Sequence, residues 1–467
     1  LTRLIHLLLA TSIVWGTFAF GAVYAWAYWP LIIASSVIGI SGCCVRSPQR
    51  LPKLSHTKRL AIGLLGFGLL GALQLVPVSL PFLSTLSPTS VQVISQLNLA
   101  VAAGVTDQHP ISISPRSTVT ALIIFAANAV LLLGCVRLFS MKGARRAGEV
   151  IAVAGVAVAL CGIVQSRLFN GSIYGFWTPI DGGNPFGPFV NRNHFAGWML
   201  MALPVSLGLL CGGIARAMPG VKPGWRARVL WCSSPQASRL ILLALGTMIM
   251  ALSLLMTMSR SGISALGVAI ALTAIFVARR QTHGRRLLNV AYLLVLIGVT
   301  VGWAGADLIS ARFAETDWAQ LNDRRGAWLD AIHIATKFPA AGIGLNTYGT
   351  ATLFFQQHDL ARHYSHAHND YLQLVAEGGV LLAIPALLCL GVLIVDVRQR
   401  FLEETSQRNY WLRVGASTGL VAIALQETVD FSLQIPANAM LFAVVCAIAL
   451  HRTPPVAPRP VNHPSIP

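Results

Sequence analysis

The chain has 467 residues, of which 55% are hydrophobic and only 11% charged, a composition that excludes both a soluble multidomain protein and a disordered one. Its net charge of +18 does not argue for nucleic acid, because the basic residues recur in alternate connections between apolar runs. The expected surroundings are membrane lipids, with no nucleic-acid partner.

In chain order, about twelve runs are long enough to cross a hydrocarbon core of about 30 Å, which takes roughly 20 helical residues. They lie near residues 4–20, 27–45, 60–77, 118–138, 149–168, 194–214, 239–257, 261–278, 288–305, 371–395, 411–428 and 435–451. The first is read as an uncleaved span, because apolar character resumes after it without a polar mature region. Connections at 46–59, 137–146, 216–239, 279–286, 398–413 and 452–459, together with Arg3, hold 25 of the 34 lysines and arginines. The positive-inside rule makes that side cytoplasmic and puts both termini there. The expected fold is all-α: a single polytopic transmembrane domain over 1–452 with about 12 transmembrane helices, and a Pro-rich tail at 453–467 expected to be disordered. The eight cysteines fall in spans or on the cytoplasmic side, so no disulfide framework is expected.

Three outer connections are long: 78–117, 169–193, and 306–370 between spans nine and ten. In the last, "RRGAWLDAIHIATKF" carries Trp328, Ile332 and Ala335 at helical spacing, with Asn322 or Asp323 as its cap and Pro339 as its stop. "AAGIGLNTYG" reads as a glycine-rich turn and "TATLFFQQHDLARHY" as a second amphipathic piece.

Chemistry gathers in "RHYSHAHNDYLQLVAEGG", residues 362–379. Asp370 is placed as an N-cap with Gln373 three residues on, the spacing of a capping box. His368 stands just ahead of that helix, where free N–H groups and the helix dipole disfavour an imidazolium, so it is a candidate general base. His366 is a second candidate base or an orienting group, and Asn369 and Glu377 are supporting residues. One competing reading makes these polar groups solvation for a helix entrance. Another makes His-x-His half of a metal site completed by His358, Asp359 or Glu377, but no second half of a metal signature is visible and no metal is assigned.

"NPFGPFVNRNHFAG" puts Arg192, Asn193 and His194 at the entrance to the sixth span, and "TMSRSG" puts Arg260 in a connection so short that it must lie near the membrane boundary. Guanidinium groups there are costly unless they are paired, snorkel to headgroups or bind an anion. A polyprenyl diphosphate lies at that depth, tail in lipid and phosphates at the surface. Arg192, Arg260 and Arg325 are therefore candidates to neutralise its phosphates. A base for an acceptor hydroxyl and fixed charge for a leaving diphosphate are what glycosyl transfer from such a donor requires. No cofactor is called for, and direct displacement would invert the anomeric carbon.

With "HAHNDYLQLVAEGG", "GIGLNTY", "RRGAW", "SRSG" and "FVNRNHFAG" in this order, the chain resembles the O-antigen ligase and O-antigen polymerase superfamily of bacterial envelopes. The resemblance covers roughly residues 180–395; the first third matches only as a pattern of spans. It implies a glycosyltransferase-C-like helical fold in the bacterial inner membrane, active at the periplasmic face. It places the family's motif histidine on His368 and its diphosphate-binding arginines on Arg192 and Arg260. The implied donor is an undecaprenyl-diphosphate-linked glycan. The implied acceptor is lipid A-core for a ligase, another glycan repeat for an O-antigen or exopolysaccharide polymerase, or protein for an O-oligosaccharyltransferase.

The rival from another class is a multi-span transporter or flippase for an anionic or lipid-linked substrate. Such proteins carry ionisable residues deep in their spans, whereas here only Glu427 and Asp430, near the outer end of the eleventh span, interrupt a dry interior. A lipid phosphatase signature would need histidine six residues after Arg260, where this chain has Leu266.

Overall fold

A computed structural model describes residues 2–45, 55–169, 171–180, 182–218, 224–278 and 318–452. In chain order its helices are α1 (Thr2–Phe18), α2 (Ala25–Cys44), α3 (Ser55–Leu73), α4 (Leu80–Leu86), α5 (Pro88–Leu97), α6 (Leu99–Ala102), α7 (Pro115–Lys142), α8 (Arg145–Leu168), α9 (Arg192–Ala217), α10 (Trp225–Cys232), α11 (Pro235–Met256), α12 (Arg260–Ala278), α13 (Trp318–Lys337), α14 (Tyr348–Phe355), α15 (Asp370–Glu403), α16 (Gln407–Gln426) and α17 (Pro436–Leu450). A two-stranded antiparallel ribbon, β1 (Pro77–Ser79) and β2 (Gln108–Pro110), pairs Val78 with His109.

The protein is thus helical, and eleven of the twelve apolar runs fall on helices. The run at 288–305, the tail at 453–467 and the start of the 306–370 connection lie outside the described residues. Six helices, α2, α7, α8, α9, α11 and α15, are long and apolar enough to cross a membrane; α1, α17 and Arg260–Ile275 of α12 are shorter apolar helices. Leu65 and Leu69 on α3, Leu242 on α11, and Leu387 and Leu388 on α15 are all exposed, as suits side chains that face lipid tails.

Among the described residues the two larger apolar cores are separate from each other. The larger runs through the bundle and includes Leu131, Phe139, Trp198, Met199, Met201 and Val444. Its centre is α9 against α16, where Gly208 and Gly415 let the backbones meet: a Cβ on Gly208 would lie 2.5 Å from the Trp411 carbonyl oxygen. Small residues do the same at many membrane helix crossings, because packing rather than water exclusion drives association there. The smaller core joins Leu83, Ile94 and Ile113 to Ile334, Phe338, Ile343 and Tyr348. The first and third long connections, separate in sequence, therefore fold as one layer.

Gln74, fully buried at the end of α3, ties that layer together. It donates to the carbonyls of Ala341 (2.7 Å) and Glu377 (2.8 Å) and accepts from the Leu345 N–H (3.1 Å). At the opposite end of the bundle, buried Arg413 pairs with Glu404 (2.9 Å) and donates to the carbonyls of Ala449 (2.6 Å), in the last turn of α17, and of its C-cap His451 (3.2 Å). The C-terminal helix is thereby held against the bundle by a charged cap on its negative end.

In the third connection α13 begins at Trp318, ahead of Asn322 and Asp323, so these lie inside the helix rather than capping it; it does end before Pro339. The expected second amphipathic piece is helical only over α14. Beyond Phe355 the chain is folded around Gln356, whose amide donates to the carbonyls of His358, Asp359 and Arg362.

Candidate functional site

The site is built where α9, α12, α15 and the α16–α17 connection begin or end. The local sequence explains why His368 is held there. Asn369, with φ −162°, is the N-cap of α15: its side chain accepts from the Leu372 N–H (3.0 Å) and donates to the Thr428 carbonyl (2.7 Å). This corrects the placing of Asp370 as cap. Asp370 is instead the first helical residue, and its carboxylate receives the Gln434 amide (2.5 Å) and lies beside the Glu427 carboxyl. The capping box is not formed either: the Asp370 N–H donates to the Glu427 carbonyl (3.1 Å), and the Gln373 side-chain oxygen accepts from the N–H of Ala367, ahead of the cap (3.0 Å).

These anchors force His368 into the left-handed region, φ +50°, which costs a side-chain-bearing residue roughly 1–2 kcal/mol. The Trp328 indole of α13, donating to the His368 carbonyl (3.1 Å), fixes it further. A strained, over-determined backbone of this kind is common where a side chain must be aimed.

Three histidines converge on one phenylalanine. The His366 ring stacks on Phe431 at 4.2 Å, and His368 and His194 meet the same ring edge-on at 5.0 and 4.8 Å. His194 is buried with neither ring nitrogen hydrogen-bonded, and Nδ1 of His366 and of His368 have no hydrogen-bond partner either. Burial pushes His368 down to about 3, with the Arg324 guanidinium and then His366 adding to it. Burial also takes His366 down to about 4, partly opposed by hydrogen bonds to Gln434 and Gln373. Both rings are neutral at pH 7, as the sequence suggested for His368. The cause, however, is desolvation first and a neighbouring arginine second, where the helix dipole had been expected.

The arginines divide. Arg192 is the first residue of α9, two before His194, and its N–H donates to the Asn184 carbonyl (2.7 Å). The carbonyl of Asn193 accepts from Gln426 (3.0 Å) and Ser432 (3.4 Å), and its side chain bonds Asp430. Arg260 is the first residue of α12, and α12 abuts α9 one turn in: a Cβ on Gly262 would lie 2.8 Å from the Ala196 Cβ. The Arg192–His194 stretch and His368 thus meet at Phe431, and Arg260 stands on the adjoining helix start.

Arg325 is exposed, whereas its neighbour Arg324 pairs with buried Asp430 (3.6 Å) and bears on His368. The sequence reading missed Arg324, Phe431 and Gln434. A doubled arginine announces that one may turn inward, but only the phase of α13 against its neighbours decides which.

Glu377 is buried, and its carboxylate accepts from the N–H groups of Asn346 (2.7 Å) and Tyr348 (3.1 Å) and from Gln373 (3.0 Å). It staples the glycine-rich turn to α15 rather than facing the histidines. The other donors considered for a metal are also engaged: His358 Nδ1 with Asp330 (2.7 Å) and Asp359 with the Tyr364 hydroxyl (2.8 Å). Among the described residues no group of three or more His, Cys, Asp or Glu is placed to hold a metal.

Residues 245–387 match a protein-family model described as O-Antigen ligase. A search of curated proteins gave no match. The matched segment holds Arg260, Arg324, His366 and His368, while Arg192–His194 and Glu427–Gln434 reach the same site from outside it. The match supports a relationship of this segment to the O-antigen ligase/polymerase superfamily, a family of glycosyltransferase-like membrane proteins associated with lipid-linked glycans and glycan acceptors.

Proposed function

We propose that the protein is a member of this superfamily and moves a glycan from undecaprenyl diphosphate to an acceptor hydroxyl at the periplasmic face of the bacterial inner membrane, with inversion and without a metal. The observation that carries the reading is the meeting of His194, His366 and His368 on Phe431, with Arg192 two residues from one ring and Arg324 acting on another.

In the proposed step the neutral His368 imidazole takes the proton of the acceptor hydroxyl as that oxygen attacks the anomeric carbon. The bond from that carbon to the diphosphate oxygen breaks, and its electron pair leaves with the diphosphate. Arg192, Arg260 and Arg324 supply positive charge to the departing phosphates; exposed Arg325 is left as a contact for the more distant phosphate or for headgroups. His366, stacked on Phe431, orients the pocket and is the reserve base. His194 and Asn193 fix the approach of Arg192, Asn369 and Asp370 fix that of His368, and Glu377 holds the glycine-rich turn behind them. A diphosphate bound nearby would raise the proton affinity of His368 from its unliganded value, bringing the base closer to working pH.

Purified protein given a polyprenyl-diphosphate oligosaccharide, with and without lipid A-core, tests both donor and acceptor. A ladder without core identifies a polymerase, and a single core-linked product a ligase. Transfer only to a protein acceptor identifies an O-oligosaccharyltransferase. Movement of intact donor across the membrane without bond cleavage would overturn the proposal in favour of a flippase.

A further inference from the structure

A second built feature lies at the far end of the bundle, roughly 35 Å from the histidines by the rise of α9 between Arg192 and Arg216. It is a cavity of about 680 Å³ between α8, α9, α11 and α16, with Arg145, Arg216, Arg239 and Arg408 on its walls and Glu149 as its one acidic residue. The other wall is apolar: Val153, which is exposed, with Leu240 and Leu243.

Three of its helices begin at the cavity. α8 starts at Arg145 with no side-chain cap, α11 at Pro235 after Ser234, and α16 at Gln407 one residue before Arg408. Their positive ends add to the arginines. Arg145 is partly occupied by Glu149 (2.7 Å). The backbone of Arg408 packs closely on Gly212 of α9, and its buried Nε has no hydrogen-bond partner. Four guanidinium groups against one carboxylate, beside an apolar flank that includes exposed Val153, fit a phosphate that arrives on acyl chains better than a free ion. A free ion would have no use for Val153, Leu240 and Leu243.

We propose that this cavity binds the phosphate headgroup of an anionic phospholipid in the leaflet opposite the histidine site. The acyl chains lie along Val153 and Leu243, and the phosphate sits among Arg216, Arg239 and Arg408. Basic pockets between membrane helices recognise anionic lipids in this way, through charge at the surface and apolar contact below it.

The test is thermal unfolding of the purified full-length protein with added phosphatidylglycerol, phosphatidylcholine, or inorganic phosphate at equal phosphate concentration. Phosphatidylglycerol should raise Tm well above the other two. The triple variant Arg216→Gln, Arg239→Gln, Arg408→Gln should lose the increment, while Arg398→Gln, outside the cavity, should keep it. Should the triple variant fail to fold, Arg239→Gln alone, at an exposed position, should weaken phosphatidylglycerol binding by about fivefold. Equal stabilisation by both lipids, or stabilisation untouched by Arg239→Gln, would overturn the site. Stabilisation by inorganic phosphate equal to that by phosphatidylglycerol would overturn the lipid assignment.

Discussion

His366 and His368 bind protons more weakly in the folded chain than in the unfolded one, at about 4 and about 3 against an ordinary value near 6.5. The unfolded state therefore holds more protons below pH 6.5, and these residues draw stability down as pH falls from 6.5 towards 4. Asp430, raised by burial, acts in the opposite sense, so the histidine contribution is read by difference. Tm measured from pH 7.5 to 4.5 should fall less steeply in His366→Gln than in the parent; parallel curves would mean that His366 is not buried neutral. Arg324 carries a second residue-scale prediction. Arg324→Gln leaves the Asp430 carboxylate buried without its cationic partner, at about 1–3 kcal/mol, and Asp430→Asn in the same chain should recover most of that stability without recovering transfer. Recovery of both would reduce Arg324 to a structural role. With 25 of the 34 lysines and arginines assigned to the other side, the sequence left few cations for this face. It did not show that Arg324 turns in and Arg325 out, since adjacent helical residues point about 100° apart and no local pattern sets the phase.

At the scale of elements, the start of α15 is the part that most needs its neighbours. The apolar run at 371–395 reads as one span, yet the helix breaks at Gly379, φ +55°, where a Cβ would lie 2.6 Å from the Ala340 carbonyl oxygen. On either side of the break the glycine-rich turn supplies the missing hydrogen bonds. Ile343 and Gly344 donate to Ala376 and Glu377, and Val380 and Leu381 donate to Pro339 and Ala340. The nine residues from Asp370 to Gly378 are thus a separate platform for His368, standing on the smaller core. Glu377 locks it, so Glu377→Ala should lower stability by about 1–3 kcal/mol for each N–H stranded and lower transfer with it. Glu377→Gln, which keeps an acceptor oxygen, should recover a substantial part of both. Equal loss in the two variants would point to a need for the charge itself. "GIGLNTY" and "AEGG" both announce turns, but their mutual pairing spans some thirty residues and left no local trace.

On the scale of the whole molecule, the apolar helices were legible because a bilayer demands some twenty apolar residues at a time, and that demand is written locally; six of them are long and apolar enough to cross a membrane. The assembly of the site was legible only in part. His194, His366 and His368 stood out as polar groups in an apolar chain, and the positive-inside pattern put them on one face. Phe431, the ring that joins them, is one apolar residue among many and could not be singled out. Glu427 and Asp430, read as exceptions to a dry interior, prove to be part of the histidine site, beside Asp370 and Arg324 respectively. The first third of the chain, which matched only as a pattern of spans, contributes through Gln74 and Ile113 to the layer that carries His368. Such contacts cross as many as three hundred residues, and a single sequence does not mark them.

His368, as the proposed base, stands at the centre of this convergence. The direct measurement is turnover of a polyprenyl-diphosphate oligosaccharide by His368→Asn, a residue that tolerates the left-handed backbone and so should leave the fold, Tm and donor binding close to the parent. Transfer should fall by about 10²–10⁴-fold, the usual worth of a positioned general base. Parental turnover in a folded His368→Asn protein would contradict the account.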